Sequence, residues 1–311
     1  MLSHLTTGTD RIYDERLTRL LDVADDISLR QRFGDEDDQF WLWLFTDGAQ
    51  RYARVRALLP SMPSEEIQRN FTGVAGDDAL RLGFWIYQLA RSLAQTHVPR
   101  PIADVLDFGC GWGRITRFFL RDIEPARLWG VDCLPEMIDL CRETNTRSRF
   151  ERIDPLPPAL VAGVPIPDDS FDLIYAYSVF SHLSESAHLH WLREFARILR
   201  PGGLLVASTR PRDFVLTCQR IREAQDTRNF MLGAVLSFVD TDAALAAYDR
   251  GEYLYEPTGG GEVLDKSIFG ETCIPKAYVL DRWTQFFEFI EYIDCRTDTR
   301  AGQQDVIVVR K

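Results

Sequence analysis

The 311-residue sequence has no uninterrupted apolar run that approaches the ~20 residues of a membrane-spanning helix. Its six cysteines are scattered, and no two of them form a Cys-x-x-Cys pair, which argues against a zinc site and a disulfide framework. The first residues also lack the basic-then-apolar layout of a signal peptide. We therefore expect a cytoplasmic protein with free thiols and no membrane partner.

Positive charge is also in short supply. The chain has 36 Lys and Arg residues against 47 Asp and Glu, a formal net charge of -11. Such a surface would repel phosphate backbones, so we expect a small-molecule substrate and no nucleic-acid partner. His188 and His190 stand two apart on a predicted helix and face different directions, so we expect no metal site there. Composition gives no indication of the oligomeric state.

The spacing of apolar residues divides the chain into regions of different character. Residues 1–74 carry helical periodicity without strand alternation and predict an N-terminal helical cap, including one helix over 37–60. In the remaining core, 75–311, a helix over 77–97 is followed by strands that alternate with helices. This pattern predicts an α/β fold with a doubly wound, mostly parallel sheet. Residues 211–282 interrupt it with aromatics and Gly259-Gly260-Gly261, and predict an inserted lid that closes on ligand.

Residues 105–114, "VLDFGCGWGR", place three glycines at alternate positions directly after an apolar strand. Glycine weakens a strand, so the cluster indicates a tight turn that leaves room for a ligand. Asp132 ends the next strand nineteen residues beyond Gly113, where an acidic side chain accepts hydrogen bonds from ribose hydroxyls in nucleotide-binding folds. The dinucleotide pattern G-x-G-x-x-G would need glycine at 114, which is Arg114.

The stretch resembles motif I of the class I S-adenosylmethionine-dependent methyltransferases, D-x-G-x-G-x-G, which Asp107, Gly109, Gly111 and Gly113 match in full. The resemblance continues through "GVDCLPEMI", "RID", "DDSFDLIYAYSVFSHL" and "LREFARILRPGGLLVAST". It implies a Rossmann-like fold of class I methyltransferase type and S-adenosyl-L-methionine as cofactor. The whole chain also looks like uncharacterised bacterial members of this family, in which an N-terminal helical region precedes the core.

The resemblance also implies a set of cofactor-binding residues. Asp132 would bind the ribose, Cys133 and Met137 would pack against the adenine or simply belong to the core, and Asp154 would reach the adenine amino group. The segment after Asp154 is longer than the family pattern. The implied cofactor site as a whole comprises Asp107, Gly109, Cys110, Gly111, Gly113, Arg114, Asp132, Cys133, Met137, Asp154 and Tyr177.

His182 follows the predicted strand "FDLIYAY", at the carboxyl edge of the sheet where ligands of open α/β folds bind. An imidazole of ordinary pKa, ~6.5, removes a proton from a hydroxyl or ammonium group at neutral pH. His182 is therefore the candidate catalytic base, with packing of the next helix as the alternative. Tyr177 is the substitute candidate.

Together these patterns predict a methyltransferase that modifies an oxygen or nitrogen of a small molecule, with a sugar or secondary metabolite favoured by the tyrosines of 211–282. Two alternatives stay open at this point: a nicotinamide-dependent oxidoreductase, which Arg114 weakens, and a non-catalytic S-adenosylmethionine-binding protein. Aminopropyl transfer ranks lower, because "YSVFSHL" offers no acidic residue to hold a polyamine.

Overall fold

The structure, a computed structural model, describes residues 8–22, 27–145, 147–224, 232–260 and 264–311. Within these ranges the chain is helical up to the first strand. A π-helical turn, Leu44–Gly48, lies between the third and fourth of these helices. The helices are α1 Gly8–Leu21, α2 Leu29–Phe33, α3 Asp38–Trp43, α4 Ala49–Arg51, α5 Ala53–Leu58, α6 Glu65–Thr72 and α7 Asp77–His97.

The prediction of one helix over 37–60 was wrong, because the segment is divided among α3, the π turn, α4 and α5. Five of the six residues from 40 to 45 are buried, which no single face of a regular helix accommodates. Tyr52 is extended, with φ -118° and ψ 112°, and separates α4 from α5. The predicted helix over 77–97 is confirmed as α7.

Strands and helices alternate from residue 105. The first half of the core contains β1 Val105–Phe108, α8 Thr116–Phe119, β2 Leu128–Asp132, α9 Pro135–Thr144 and β3 Arg149–Arg152. A short hairpin, β4 Leu160–Val161 and β5 Val164–Pro165, occupies the long segment after β3. It is followed by β6 Phe171–Ala176, α10 Glu185–Ile198 and β7 Leu199–Thr209.

The predicted insertion, 211–282, contains four helices and a two-stranded sheet in its described part. These elements are α11 Asp213–Glu223, α12 Leu232–Leu236, α13 Thr241–Asp249, β8 Leu254–Glu256, β9 Glu271–Cys273 and α14 Lys276–Arg282. The chain closes with β10 Glu288–Ile293 and β11 Asp305–Arg310. Gly261, one of the three glycines predicted to form a hinge, lies outside the described residues.

The main sheet has seven strands in the order β10-β11-β7-β6-β1-β2-β3. β1, β2, β3, β6 and β7 pair in parallel, whereas β11 runs antiparallel to both β7 and β10. The prediction of a doubly wound, mostly parallel sheet is therefore confirmed. The chain crosses from β3 to β6 on the other side of β1, so a crevice opens at the carboxyl ends of β1 and β6.

The central strands are buried on both faces, which explains their continuous apolar sequence. On one face, Val105 and Leu173 pack with the N-terminal helices and α7. On the other, Leu106 and Ile174 pack with α10 and α14. No described helix is long and apolar enough to cross a membrane.

The N-terminal helices and the core share one apolar cluster. The indole Nε1 of Trp41 donates a hydrogen bond to the Phe118 carbonyl at 3.0 Å. Arg117, fully buried in α8, donates to the carbonyl oxygens of Pro60 and Ser61 at 3.5 and 3.3 Å. The cap is thus packed on one face of the sheet, and the boundary at residue 74 stays a prediction.

His188 links α10 to Tyr253 of the insertion and to Trp283 directly after it. Its Nδ1 donates to the Glu185 carbonyl at 3.1 Å, and its Nε2 accepts from the Trp283 indole at 3.0 Å. The ring stacks on Tyr253, with centroids 4.9 Å apart. Because burial removes the water that would solvate an imidazolium, the pKa of His188 falls to about 3.

We expect His188 to make folding sensitive to mild acid. The unfolded state takes up a proton near the ordinary pKa of ~6.5, whereas the folded state does so only near 3, so stability falls as the pH drops below ~6.5. Between pH 7 and pH 5 the loss from this residue is about 2 kcal/mol of unfolding free energy. Urea denaturation at both pH values measures it.

The matched variants are His188→Gln and His190→Gln, the second on the exposed side of the same helix. His188→Gln should lose about 2 kcal/mol less than the parent protein on acidification, whatever its stability at pH 7. His190→Gln should lose as much as the parent. An equal loss in all three proteins would contradict the assignment.

Candidate functional site

The glycine turn after β1 has the backbone conformation that its sequence indicates. Gly109, Gly111 and Gly113 all have positive φ, 72°, 51° and 72°. A β-carbon on Gly109 would lie 2.4 Å from Val179 Cγ2, whereas one on Gly111 would meet only Phe71, at 3.7 Å. Gly109 is thus required by close packing, whereas a β-carbon on Gly111 would make only an ordinary contact with Phe71 of the cap.

Asp132 connects the end of β2 to this turn. One carboxylate oxygen accepts the backbone N–H of Gly111 at 2.9 Å, and the other accepts that of Leu134 at 3.0 Å. Burial raises the pKa of Asp132, against the lowering effect of these hydrogen bonds. A carboxylate has about four acceptor positions, and the Cys133 N–H also interacts with this one, so about one position remains for a ligand. Asp132 is therefore equipped to accept a hydrogen bond from a ligand hydroxyl group.

Asp107 lies beneath the turn. It is buried, and its carboxylate accepts the Thr116 hydroxyl at 2.5 Å. Burial raises the pKa of Asp107 to about 6. The structure thus gives Asp107 a role in holding the turn against α8, and its direct contact with a ligand stays a prediction.

The remaining candidates lie in the glycine turn, after β2, in α9 and after β3, and they occupy different environments. Cys110 is buried with Ile138, Cys141 and Phe150, and Met137 is buried with Trp112. Cys133 is half-buried next to Asp132, and burial raises the pKa of its thiol to about 12. Asp154 is exposed directly after β3. Of these four, Cys133 and Asp154 are more open to a bound molecule than Cys110 and Met137.

Arg114 and Tyr177 lie on the β6 side of the turn. The Nη1 group of Arg114 is buried, and no described residue accepts a hydrogen bond from it. Burial lowers the pKa of Arg114 to about 10. Burial raises the pKa of Tyr177 to about 12, although the guanidinium groups of Arg114 and Arg210 oppose the rise. An unpaired buried guanidinium fits an anionic ligand group such as a carboxylate.

The chain turns sharply after β6. Ser178 has a φ of 62°, which is rare for a residue other than glycine. Residues with such backbone conformations cluster at functional sites. The backbone N–H of Ser178 donates to the Ser208 hydroxyl at 2.7 Å, and its own hydroxyl accepts from Gln304 at 2.9 Å. These bonds hold the turn that carries His182.

His182 is close to the insertion. Its Nδ1 lies 2.9 Å from the Gly270 carbonyl, and its ring stacks on Phe269 with centroids 4.7 Å apart. Because a carbonyl only accepts hydrogen bonds, Nδ1 carries the proton and Nε2 keeps a free lone pair. Burial lowers the pKa of His182, and Arg210 lowers it further, while Glu271 raises it.

Several residues of this region were missed by sequence reasoning. Phe71 of α6 is 44% exposed although it lies beside Gly111. Trp85 of α7 meets Tyr177 edge-on, with centroids 6.2 Å apart. Glu271 of β9 lies 3.8 Å from His182 Nδ1. None of these residues belongs to a motif, and only the folded chain brings them to the carboxyl edge of the sheet.

Residues 105–203 match the family model described as "Methyltransferase domain". The chain is 30% identical over 142 residues to a fatty-acid O-methyltransferase of Mycolicibacterium smegmatis, covering 44% of this chain and 46% of that protein. It is 33% identical over 169 residues to a demethylmenaquinone methyltransferase of Tropheryma whipplei, covering 53% and 63%. The match therefore spans less than two thirds of each relative.

A solved structure of an S-adenosylmethionine-dependent methyltransferase from Clostridium acetobutylicum has a TM-score of 0.46 and 12% identity, covering 74% of this chain and 91% of that one. The domain match and the two relatives favour the methyltransferase interpretation over a nicotinamide dehydrogenase. With the glycine turn, Asp132 and the order of the seven strands, they identify residues 105–203 as a methyltransferase domain.

Proposed function

We propose that this protein transfers a methyl group from S-adenosylmethionine to an oxygen or nitrogen of a small molecule. The observation that carries the proposal is the pairing of the open turn at Gly111 with the Asp132 carboxylate at the crevice between β1 and β6. Relatives named for a fatty acid, demethylmenaquinone and trans-aconitate support a small-molecule acceptor.

The expected preference for a sugar loses its main support. It rested on the tyrosines of the insertion, and two of these use their hydroxyl groups within the protein. The Tyr253 hydroxyl donates to the Leu183 carbonyl at 2.8 Å, and the Tyr278 hydroxyl donates to Glu185 at 2.7 Å. We therefore name only a small molecule with a nucleophilic oxygen or nitrogen.

The residues around the turn fit the proposed cofactor. Asp132 would hold a ribose hydroxyl, and Arg114 would pair with the carboxylate of the methionyl part through its unpaired Nη1. Cys133 and Met137 would border the adenine, and Asp154 would reach its amino group. When bound, the cofactor supplies a methyl group activated by a sulfonium. The chain's own contributions are alignment and exclusion of water.

A pair of glycine substitutions separates binding from folding. Gly111→Val should abolish binding of S-adenosylhomocysteine, because the added side chain would fill the space that the ligand needs. The protein should stay folded, because only Phe71 lies near the added carbon. The positive φ strains the folded state and lowers the unfolding free energy by on the order of 1 kcal/mol. Gly109→Val should instead destabilise the fold, because its β-carbon would overlap Val179.

Calorimetric titration with S-adenosylhomocysteine and thermal melting measure the two effects. If a folded Gly111→Val protein binds S-adenosylhomocysteine as tightly as the parent does, the turn is not part of the cofactor site. Tighter binding of NAD than of S-adenosylhomocysteine by the parent would overturn the proposed activity.

We propose His182 as the general base where the acceptor starts protonated. Its free Nε2 accepts the proton, and its lowered pKa keeps the ring neutral at pH 7. The Gly270 carbonyl fixes the tautomer. Tyr177 is the substitute candidate, but burial raises the pKa of its phenol to about 12, which makes it a poor base at neutral pH.

His182→Ala should leave the affinity for S-adenosylhomocysteine nearly unchanged and lower turnover by ~10²–10⁴-fold with a hydroxyl acceptor. Turnover is measured as S-adenosylhomocysteine release over a panel of small alcohols, amines and carboxylic acids. The loss should be smallest with acceptors already deprotonated at pH 7, such as carboxylates. Tyr177→Phe is the matched control and should lose far less. Full turnover by a folded His182→Ala protein with every acceptor would exclude His182 as the general base.

The insertion stays a proposed lid. Gly259 has a φ of 73°, which suits a hinge, and the segment around Phe269 already touches His182. We expect hydrogen exchange over 248–278 to slow when cofactor and acceptor are both present. Equal exchange with and without them would make the insertion a fixed part of the fold.

A further inference from the structure

The turn that carries His182 is held by the insertion along its backbone. The backbone N–H of Ser184 donates to the Ile268 carbonyl at 2.8 Å, and that of Gly270 donates to the His182 carbonyl at 2.7 Å. The Thr272 N–H donates to the Ser181 carbonyl at 2.8 Å. Residues 268–272 of the insertion are therefore joined to this turn by a ladder of backbone hydrogen bonds, which fixes the position of this stretch relative to the imidazole.

Glu271 is the acidic group that this ladder brings to the ring. It is only 7% exposed, and one of its carboxylate oxygens lies 3.8 Å from His182 Nδ1. The other oxygen accepts the Nε–H of Arg210 at 3.0 Å. The Arg210 guanidinium in turn lies 4.5 Å from the centroid of the Phe214 ring. The ion pair with Arg210 thus holds the Glu271 carboxylate beside His182.

The packing around this carboxylate is close. A β-carbon on Gly233 of α12 would lie 3.2 Å from the Glu271 oxygen that faces His182. The glycine therefore leaves just enough room for the carboxylate. Of the described elements packed against the ring, β9 contributes Glu271 and the end of β7 contributes Arg210 as charged groups, whereas Phe269 and Gly270 are uncharged.

We propose that Glu271 is a positioning residue for His182, and that Arg210 both holds Glu271 and opposes its effect on the ring. The inference rests on the proposed function, in which Nε2 of His182 takes a proton from the acceptor. A positive imidazolium then forms 3.8 Å from the Glu271 carboxylate, which stabilises it. The Arg210 guanidinium limits that stabilisation and so favours the neutral form of the ring before the acceptor binds.

The charges of Glu271 and Arg210 shift the pKa of His182 in opposite directions. Removing the carboxylate in Glu271→Gln should lower the pKa of His182 by about 1 pH unit, because an opposite charge within ~4–6 Å favours the charged form. Removing the guanidinium in Arg210→Gln should raise the pKa of His182, because a like charge is lost. A residue that only fills space would not produce this pair of shifts.

Proton NMR titration of the imidazole resonances measures the pKa directly, without a substrate. The chain has five histidines, and the His182 signal is assigned by its loss in His182→Gln. Glu252→Gln is the matched control: it removes an exposed carboxylate of the same insertion that pairs with Arg250. The His182 titration in this control should coincide with that of the parent.

An unchanged or raised pKa of His182 in Glu271→Gln would overturn the inference, as would a lowered pKa in Arg210→Gln. The pH dependence of turnover then separates this proposal from the proposed function. If Glu271→Gln shifts the titration while His182→Ala keeps full turnover, the positioning role stands and the base is wrong. If both proposals hold, the acid limb of kcat/KM in Glu271→Gln moves to lower pH with the titration.

Discussion

The hydrogen bond from the Gly111 N–H to the Asp132 carboxylate joins the two strands on which the site depends. It fixes the glycine turn after β1 against the end of β2, and the Leu134 N–H holds the same carboxylate from the other side. The backbone N–H groups of Gly109 and Cys110 also donate to the Val131 carbonyl, at 2.8 and 3.0 Å, so the turn is held to β2 at three points. The remaining groups, from Arg114 to His182, are arranged around this fixed point.

Much of the structure of the glycine turn and of the strands beside it follows from local sequence. The glycines at 109, 111 and 113 all adopt positive φ, which is the property that made their spacing unusual after an apolar strand. The two-sided burial of β1 and β6 follows from their continuous apolar runs. Turn chemistry and hydrophobic patterning act over a few residues, so a single sequence displays them.

Other features depend on contacts between distant residues, which no local pattern records. Glu271 reaches His182 from 89 positions along the chain only because β9 pairs with the turn after β6. The tyrosines of the insertion suggested a ligand pocket, but Tyr253 and Tyr278 pack around His188 instead. An aromatic residue has the same local signature in a core and in a binding site, and tertiary packing alone separates the two.

The backbone ladder between the insertion and the His182 turn limits how this protein can diversify. Exchanging residues 211–282 for another segment, to admit a different acceptor, would also remove the carbonyl that fixes the His182 tautomer and the carboxylate beside it. Under the roles proposed for the insertion and for His182, acceptor choice and proton removal are therefore inherited together. A grafted segment would have to reproduce the strand that carries Gly270 and Glu271 before any change in its remaining residues could alter specificity alone.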